Sequence, residues 1–152
     1  MAQYDQLTEL LDLPNVRVIH YQLVGSRRLN LFVESTLAAA LCPTCQQPSL
    51  VVHARDDAQL IRDLPIWQRQ CWLRYAPRRF DCATCQTTFV ERVVWRETGR
   101  TYTTRYEQAL YERVRREPIS QVAHDEHLSE DIVRGIFERW AKKNWPPEAT
   151  HE

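Results

Sequence analysis

Two short cysteine motifs constrain this chain more than any other feature of its sequence. They are Cys42-Pro43-Thr44-Cys45 and Cys82-Ala83-Thr84-Cys85, separated by residues 46–81. Two thiolates three residues apart on a tight turn can bind the same ion, and two such turns supply the four ligands of a tetrahedral site. The spacing therefore predicts one zinc ion bound by Cys42, Cys45, Cys82 and Cys85. With four protein ligands no position remains for a reactive water, so the ion is expected to be structural.

Three other uses of paired cysteines are alternatives to zinc. A redox CxxC motif follows a strand at the start of a helix in a βαβ unit, and neither motif stands in that context. Disulfides need an oxidising compartment, for which the sequence carries no signal. An iron–sulfur cluster also takes four cysteines, but two paired turns favour zinc. Cys71 lies in a strand-like run and is expected to be a small buried side chain, and His53 a surface or packing residue rather than a ligand.

The hydrophobic pattern predicts an α+β fold built from small modules. A chain of 152 residues with 43% hydrophobic residues can form one domain or two small ones. Leu7, Leu10 and Leu11 share one helical face and predict a short N-terminal helix, and partly alternating apolar residues around Gly25-Ser26 predict a β-hairpin. Strand-like runs between Ser49 and Val94 predict one small antiparallel β-module around the cysteines.

After Trp95 the spacing of apolar residues becomes helical and predicts a C-terminal bundle. Within it, Ala123 is small enough for a close crossing of two helices and Leu128 fills the turn between them, as in a helix-turn-helix. Ser129 is a good N-cap for the second helix, and His127 stands where a left-handed glycine is usual. A helical hairpin used only for packing is the alternative. We therefore expect four segments: an N-terminal helix and hairpin (1–41), a four-cysteine zinc-binding β-module (42–97), a helix-turn-helix (98–145) and a tail (146–152).

The distribution of charge favours a nucleic-acid partner, although the formal net charge is zero. Residues 62–117 contain 12 arginines and 7 acidic residues, whereas acidic residues are in excess in both flanking segments. The planar guanidinium suits phosphate and guanine, and pairing with surface carboxylates is the alternative. Together with the helix-turn-helix, this bias predicts binding to double-stranded DNA. The candidate contacts are Arg62, Arg74, Arg78, Arg79, Ser129, Arg134 and Arg139.

Several further motifs resemble a known family. They include Val52-His53-Ala54-Arg55, Arg62-Asp63-Leu64-Pro65, Arg78-Arg79-Phe80-Asp81-Cys82 and Thr88-Phe89-Val90-Glu91-Arg92. With the first cysteine motif and the helices, they make the chain from about residue 10 to residue 143 resemble the N-terminal region of ISL3-type bacterial transposases. The resemblance implies that both modules recognise transposon-end DNA.

In the ISL3 family a catalytic nuclease domain with three metal-binding carboxylates follows this region. This sequence ends at Glu152 and offers no such triad, so the chain is not expected to be an enzyme on its own. The resemblance thus implies a DNA-binding part of a transposase. Its expected protein partners are a second copy of itself or a separate catalytic transposase chain.

Two other classes of function are alternatives. The zero net charge and the acidic C-terminal segment favour a zinc-stapled protein-interaction or assembly module, for example a regulatory or accessory subunit. A small enzyme would need an open metal position or a nucleophile beside a base, and the sequence suggests neither. No apolar run is long enough to cross a bilayer, and the polar start is unlike a signal peptide, so a cytoplasmic location without membrane contact is expected.

Overall fold

The computed structural model describes residues 3–144 and divides them into two units, unit 1 up to Thr103 and unit 2 from Thr104. The described part of unit 1 contains α1 (Asp5–Leu11), β1 (Val16–Val24), β2 (Arg28–Ser35), β3 (Ala40–Leu41), β4 (Pro48–Ser49), β5 (Val52–Arg55), β6 (Gln59–Ile66), β7 (Arg69–Tyr75), β8 (Arg78–Cys82) and β9 (Thr87–Val90). That of unit 2 contains α2 (Thr104–Val114), α3 (Ile119–Glu126) and α4 (Glu130–Asn144). The tail expected at residues 146–152 lies outside the described residues.

The main sheet of unit 1 has four strands in the order β1-β2-β7-β6. β2 runs parallel to β7, and the two outer pairs are antiparallel. The alternation of apolar residues along β2 turns Leu29, Leu31 and Val33 toward one face, where they meet the buried alternate residues of β7, which are Cys71, Leu73 and Tyr75. Helix α1 packs on this core, to which its residue Leu11 belongs. Cys71 is fully buried, which confirms the expectation of a small core side chain.

Strands β6 and β7 differ from the sequence expectation, which placed all strands between Ser49 and Val94 in one module around the cysteines. They pair with the N-terminal hairpin instead, while β5, β8 and β9 form a separate sheet. β7 joins β2 because its buried residues continue the apolar face of the hairpin, and such pairing is not visible in the pattern of either strand alone. β6 contains Pro65, which is tolerated near the end of an edge strand.

The described part of unit 2 is a bundle of three helices. Its buried apolar residues come from all three helices, in the pairs Tyr106 and Leu110, Val122 and Ala123, and Val133 and Ile136. The α+β class, the hairpin and the C-terminal helices are therefore confirmed. Among the described residues, no helix combines the length and the apolar character needed to cross a membrane.

Candidate metal centre and nucleic-acid interface

Each cysteine motif forms the turn of a short antiparallel hairpin. β3 and β4 flank the first turn, and β8 and β9 flank the second. A glutamine follows each motif, and Gln46 and Gln86 adopt left-handed backbone angles, with φ of 59° and 55°. Each glutamine N–H donates a 2.8 Å hydrogen bond to the carbonyl of the first cysteine of its motif, Cys42 or Cys82. The two Cys-x-Thr-Cys-Gln turns therefore share these backbone features.

The four cysteine sulfur atoms form one cluster, lying within 4.8 Å of one another. The Sγ atoms of Cys42 and Cys85 are 3.9 Å apart, and those of Cys45 and Cys82 are 3.5 Å apart. Four sulfurs at the usual Zn–S distance of about 2.3 Å stand about 3.8 Å from one another in a tetrahedron. The sulfur cluster therefore has the size and composition of a four-thiolate zinc site.

Backbone amides support the thiolate form of Cys42. The N–H groups of Cys45 and Thr44 lower the pKa of the Cys42 thiol to about 6. The amide of Cys85 donates to the Sγ of Cys82 at 3.4 Å. In contrast, hydrogen bonding with the neighbouring Cys45 sulfur and burial raise the pKa of the Cys85 thiol to about 12, because adjacent sulfurs cannot all ionise without a cation. A divalent ion supplies the positive charge that four thiolates need.

Apolar packing surrounds the sulfur cluster. Phe80 and Phe89 stack with ring centroids 6.0 Å apart and form a small core with the buried members of the two motifs. His53 lies outside the sulfur cluster, and its Nδ1 is 3.2 Å from a carboxylate oxygen of Asp81. The side chain of His53 is 55% exposed, which confirms its surface position.

The helix-turn-helix of unit 2 is formed by α3, a short turn and α4. His127 ends α3 with φ 55° and ψ 42°, so it occupies the left-handed region as expected from its place in the turn. The next amide, of Leu128, donates to the carbonyl of Ala123 at 2.9 Å and closes the end of the helix. Ser129 caps α4, because its Oγ accepts the N–H of Ile132 at 3.2 Å.

One face of α4 is exposed to solvent along most of its length. Val133 and Ile136 point into the bundle, and the ring of Phe137 stacks on Tyr111 with centroids 5.4 Å apart. The opposite face carries residues at helical spacing, which are Asp131, Arg134, Gly135, Glu138 and Lys142. A Cβ added at Gly135 would meet no atom within 4 Å, so no neighbouring side chain packs over this part of the face.

Arg78, expected to contact DNA, is engaged inside unit 1. Its guanidinium donates to both carboxylate oxygens of Glu91 at 3.0 and 2.8 Å, to the Leu37 carbonyl at 2.7 Å and to the Ser35 hydroxyl at 3.0 Å. Tyr75 donates its hydroxyl to Glu91 at 2.8 Å. Burial raises the pKa of Glu91, but the hydrogen bonds from Arg78 and Tyr75 lower it by more. The pKa of this carboxyl therefore lies below its ordinary value. This network attaches β8, which carries Cys82, to the main sheet.

Two other arginines from the expected set are also engaged within their units. Arg62 is 4% exposed, and its guanidinium lies 5.9 Å from the Trp72 ring centroid. Arg139 forms an ion pair with Glu107, whose side chain is 1% exposed. Both arginines therefore contribute to the internal structure of the two units.

The remaining expected residues lie at the surface. Arg74 is exposed and its guanidinium is 5.2 Å from the Phe32 ring centroid. Arg79 and Arg134 are partly exposed and pair with Asp56 and Asp131, each at 3.1 Å. Ser129 is exposed at the start of α4.

The expected set omitted several surface arginines of unit 1, three of which lie close together. In the described part of the chain, Arg27, Arg28 and Arg69 make no ion pair, and Arg69 donates to the Ser26 carbonyl at 3.0 Å. They lie at the ends of the two hairpins, where the N–H of Gln70 donates to the Arg27 carbonyl at 2.8 Å. The adjacent pair Arg27-Arg28 directly after the predicted Gly25-Ser26 turn was the available signal, since residues at turns are commonly exposed.

Two family models match the chain, and they cover the two regions just described. Residues 38–85 match the zinc-finger of transposase IS204/IS1001/IS1096/IS1165. Residues 91–141 match the helix-turn-helix domain of transposase family ISL3. No curated protein and no solved structure matches the chain.

The sulfur cluster and the capped helix pair define a zinc-ribbon and helix-turn-helix protein of the transposase type, with a DNA-binding, transposase-like function. More particularly, residues 38–141 belong to the zinc-binding and helix-turn-helix region of the ISL3 transposase family. The metal is one structural zinc ion, held by the four-cysteine cluster.

Proposed function

We propose that this protein binds double-stranded DNA at the end of a mobile element, with α4 as the helix that reads the sequence and the zinc ribbon as a second contact. The observation that carries the proposal is the capped α3–α4 pair, whose α4 face is open, in a region matched by the ISL3 helix-turn-helix model. The duplex is assigned to a mobile-element end because both matched models are parts of transposases.

The exposed face of α4 has the chemistry for reading bases. Its 15 residues span about 22 Å, enough to lie along the major groove. Arg134 can donate two hydrogen bonds to guanine, and Glu138 can accept from the amino group of cytosine. The ion pair of Arg134 with Asp131 is exposed and contributes at most about 1 kcal/mol, so DNA can replace it. The N–H groups at the start of α4, next to Ser129, can donate to a phosphate of the DNA backbone.

In unit 1 we propose Arg74 and Arg79 as DNA contacts and assign Arg62 and Arg78 to internal structure. Buried or multiply bonded arginines would lose several hydrogen bonds on turning toward a phosphate. An arginine with one exposed partner loses little. As its protein partner we propose a second copy of the chain or a separate catalytic transposase chain.

The test starts with selection of binding sequences from a random duplex library by the zinc-loaded full chain. Affinity for the selected duplex is then measured by fluorescence anisotropy. Arg134→Ala is expected to weaken specific binding by about 1–3 kcal/mol and to relax the preference at one base pair.

Arg115→Ala is the matched control. Arg115 is also exposed, and it also pairs with a carboxylate three residues earlier, Glu112 at 3.2 Å, but it lies at the end of α2. Equal effects of the two substitutions, or selection that enriches no sequence, would count against α4 as the reading helix.

A further inference from the structure

We propose that the main sheet of unit 1 binds single-stranded DNA on its outer face, in addition to the duplex proposed for α4. The outer face is the side opposite the buried core of the sheet. The residues that carry the argument are His20, Arg28, Asn30, Phe32, Trp72 and Arg74.

Strand register places these side chains in two neighbouring rows. In one row His20 of β1 is opposite Phe32 of β2, which is opposite Arg74 of β7. In the next row Asn30 of β2 is opposite Trp72 of β7. Rows on one face are about 7 Å apart along the strands, so two aromatic rings lie within reach of successive bases of one nucleic-acid strand.

Arginines are held against both rings. The guanidinium of Arg28 is 4.8 Å from the Trp72 ring centroid, and its Nε donates to Oδ1 of Asn30 at 3.0 Å. The guanidinium of Arg74 is 5.2 Å from the Phe32 ring centroid. Aromatic rings and guanidinium planes both stack on bases, and a base can insert beside a ring that is only partly buried, as both of these are.

The charge of the outer face suits a phosphate backbone. Among the described residues, Arg28 and Arg74 form no ion pair, in contrast to Arg79 and Arg134. Among the described outward-facing residues of β1, β2, β7 and β6, the one acidic residue is Glu34, and its carboxylate pairs with Arg17. Arg27 and Arg69 add positive charge at the hairpin ends nearest Arg28. Arginines that have no carboxylate partner among the described residues attract a polyanion.

A single strand fits this surface better than a duplex does. Bases of a duplex are stacked inside it and cannot reach rings on a sheet, whereas unpaired bases stack on aromatic side chains with little regard to sequence. Duplex grooves are read by a helix or a two-stranded ribbon that enters them, and a four-stranded sheet face is too broad. The outer face is therefore assigned to unpaired bases, and α4 to paired ones.

The experiment measures binding of the zinc-loaded full chain to a labelled oligothymidine of about 12 nucleotides, with fluorescence anisotropy as the readout. Trp72→Leu is expected to weaken binding about tenfold, and Trp72→Phe to retain most of it because the ring is kept. Arg28→Ala and Arg74→Ala are each expected to reduce the slope of log K against log salt by about 0.7. The Phe variant separates loss of stacking from loss of folding.

Trp67→Ala is the matched control for Trp72. Trp67 is 89% exposed and lines a groove of about 560 Å³ with Leu29 of the core face and with α1, away from the outer face. The Trp67→Ala substitution should leave oligothymidine binding unchanged. Arg134→Ala should likewise leave it unchanged while weakening duplex binding, so the two proposals fail separately.

Absence of oligothymidine binding by the unaltered chain would overturn the proposal. So would equal losses in the Trp67 and Trp72 variants, or unchanged binding by Trp72→Leu. Photocrosslinking with iodouridine in the oligonucleotide supplies a direct readout, with adducts expected on Trp72 or Phe32. Adducts confined to unit 2 would also contradict it.

Discussion

Replacement of Arg78 tests whether this arginine holds unit 1 together or binds DNA. Its partner Glu91 has a fully buried side chain, and the Arg78 side chain is 11% exposed. Arg78→Ala removes the charge that Glu91 faces, together with hydrogen bonds to Ser35 and Leu37. Breaking a buried pair by removing one partner costs about 3–5 kcal/mol. We therefore expect Arg78→Ala to lower the free energy of unfolding of unit 1 by that amount.

Arg79→Ala is the control for this prediction. Arg79 is the next residue on β8, and it also pairs with a carboxylate, Asp56 at 3.1 Å, but the two side chains are 37% and 31% exposed. An exposed pair contributes about 1 kcal/mol or less. Arg79→Ala should therefore change stability little, and under the proposed function it should weaken DNA binding more than Arg78→Ala does in protein that remains folded.

The buried pair also predicts a dependence of stability on pH. The pKa of Glu91 in the folded state is below its usual value, so the pair contributes fully above about pH 4.3 and is lost as pH falls through the folded pKa. Glu91→Gln should remove this part of the acid sensitivity. It should also cost less than Arg78→Ala, because no buried carboxylate is left without its partner.

Amide hydrogen exchange with excess zinc measures these effects, because it reports the opening of β7 and β8 separately from unit 2. A single unfolding curve would mix the two units. A cost of Arg78→Ala no larger than that of Arg79→Ala would refute the reasoning. The reasoning would also be refuted if the cost of the double variant equalled the sum of the costs of Arg78→Ala and Glu91→Gln, since contacting residues should be coupled.

Three further outcomes are expected. Metal analysis should find one zinc per chain, and chelation should raise hydrogen exchange in the cysteine hairpins while the helical circular dichroism of unit 2 persists; a metal-free protein with protected hairpins would contradict the site. Gly135→Ala should stabilise unit 2 by about 0.5–1 kcal/mol, because the added methyl contacts no other atom. The same methyl should weaken duplex binding, because α4 is proposed to approach DNA closely at this position. Unchanged binding would mean that DNA binds elsewhere. Ser129→Ala should destabilise α4 by about 1 kcal/mol in thermal unfolding, while Ser129→Asn should not, since asparagine also caps.

Local motifs were predictable because their geometry depends on residues close in sequence. The spacing within each cysteine motif determined the ligands, and the apolar spacing after Trp95 determined the helices. The left-handed conformation of His127 followed from its place between two helices. In each case the chain within a few residues provides most of the constraint.

Pairings between distant segments were decided only by the tertiary structure. Strand β7 could have joined the cysteine hairpins or the N-terminal hairpin, and its pattern suits both, because alternation identifies a buried face but not the strand beside it. The choice of β2 as its neighbour also created the outer face, on which Trp72 and Arg28 meet. No spacing in the sequence indicates that contact.

The zinc site and the role of the arginines show the same division. Two CxxC motifs determine a four-sulfur site by themselves, since few other arrangements satisfy four thiolates at that spacing. An arginine has no such signature, because a guanidinium pairs equally well with a carboxylate or a phosphate. Only the folded chain brings Glu91 to Arg78 and leaves Arg74 without a carboxylate partner among residues 3–144. Burial with a partner is what separates a structural arginine from one available to DNA.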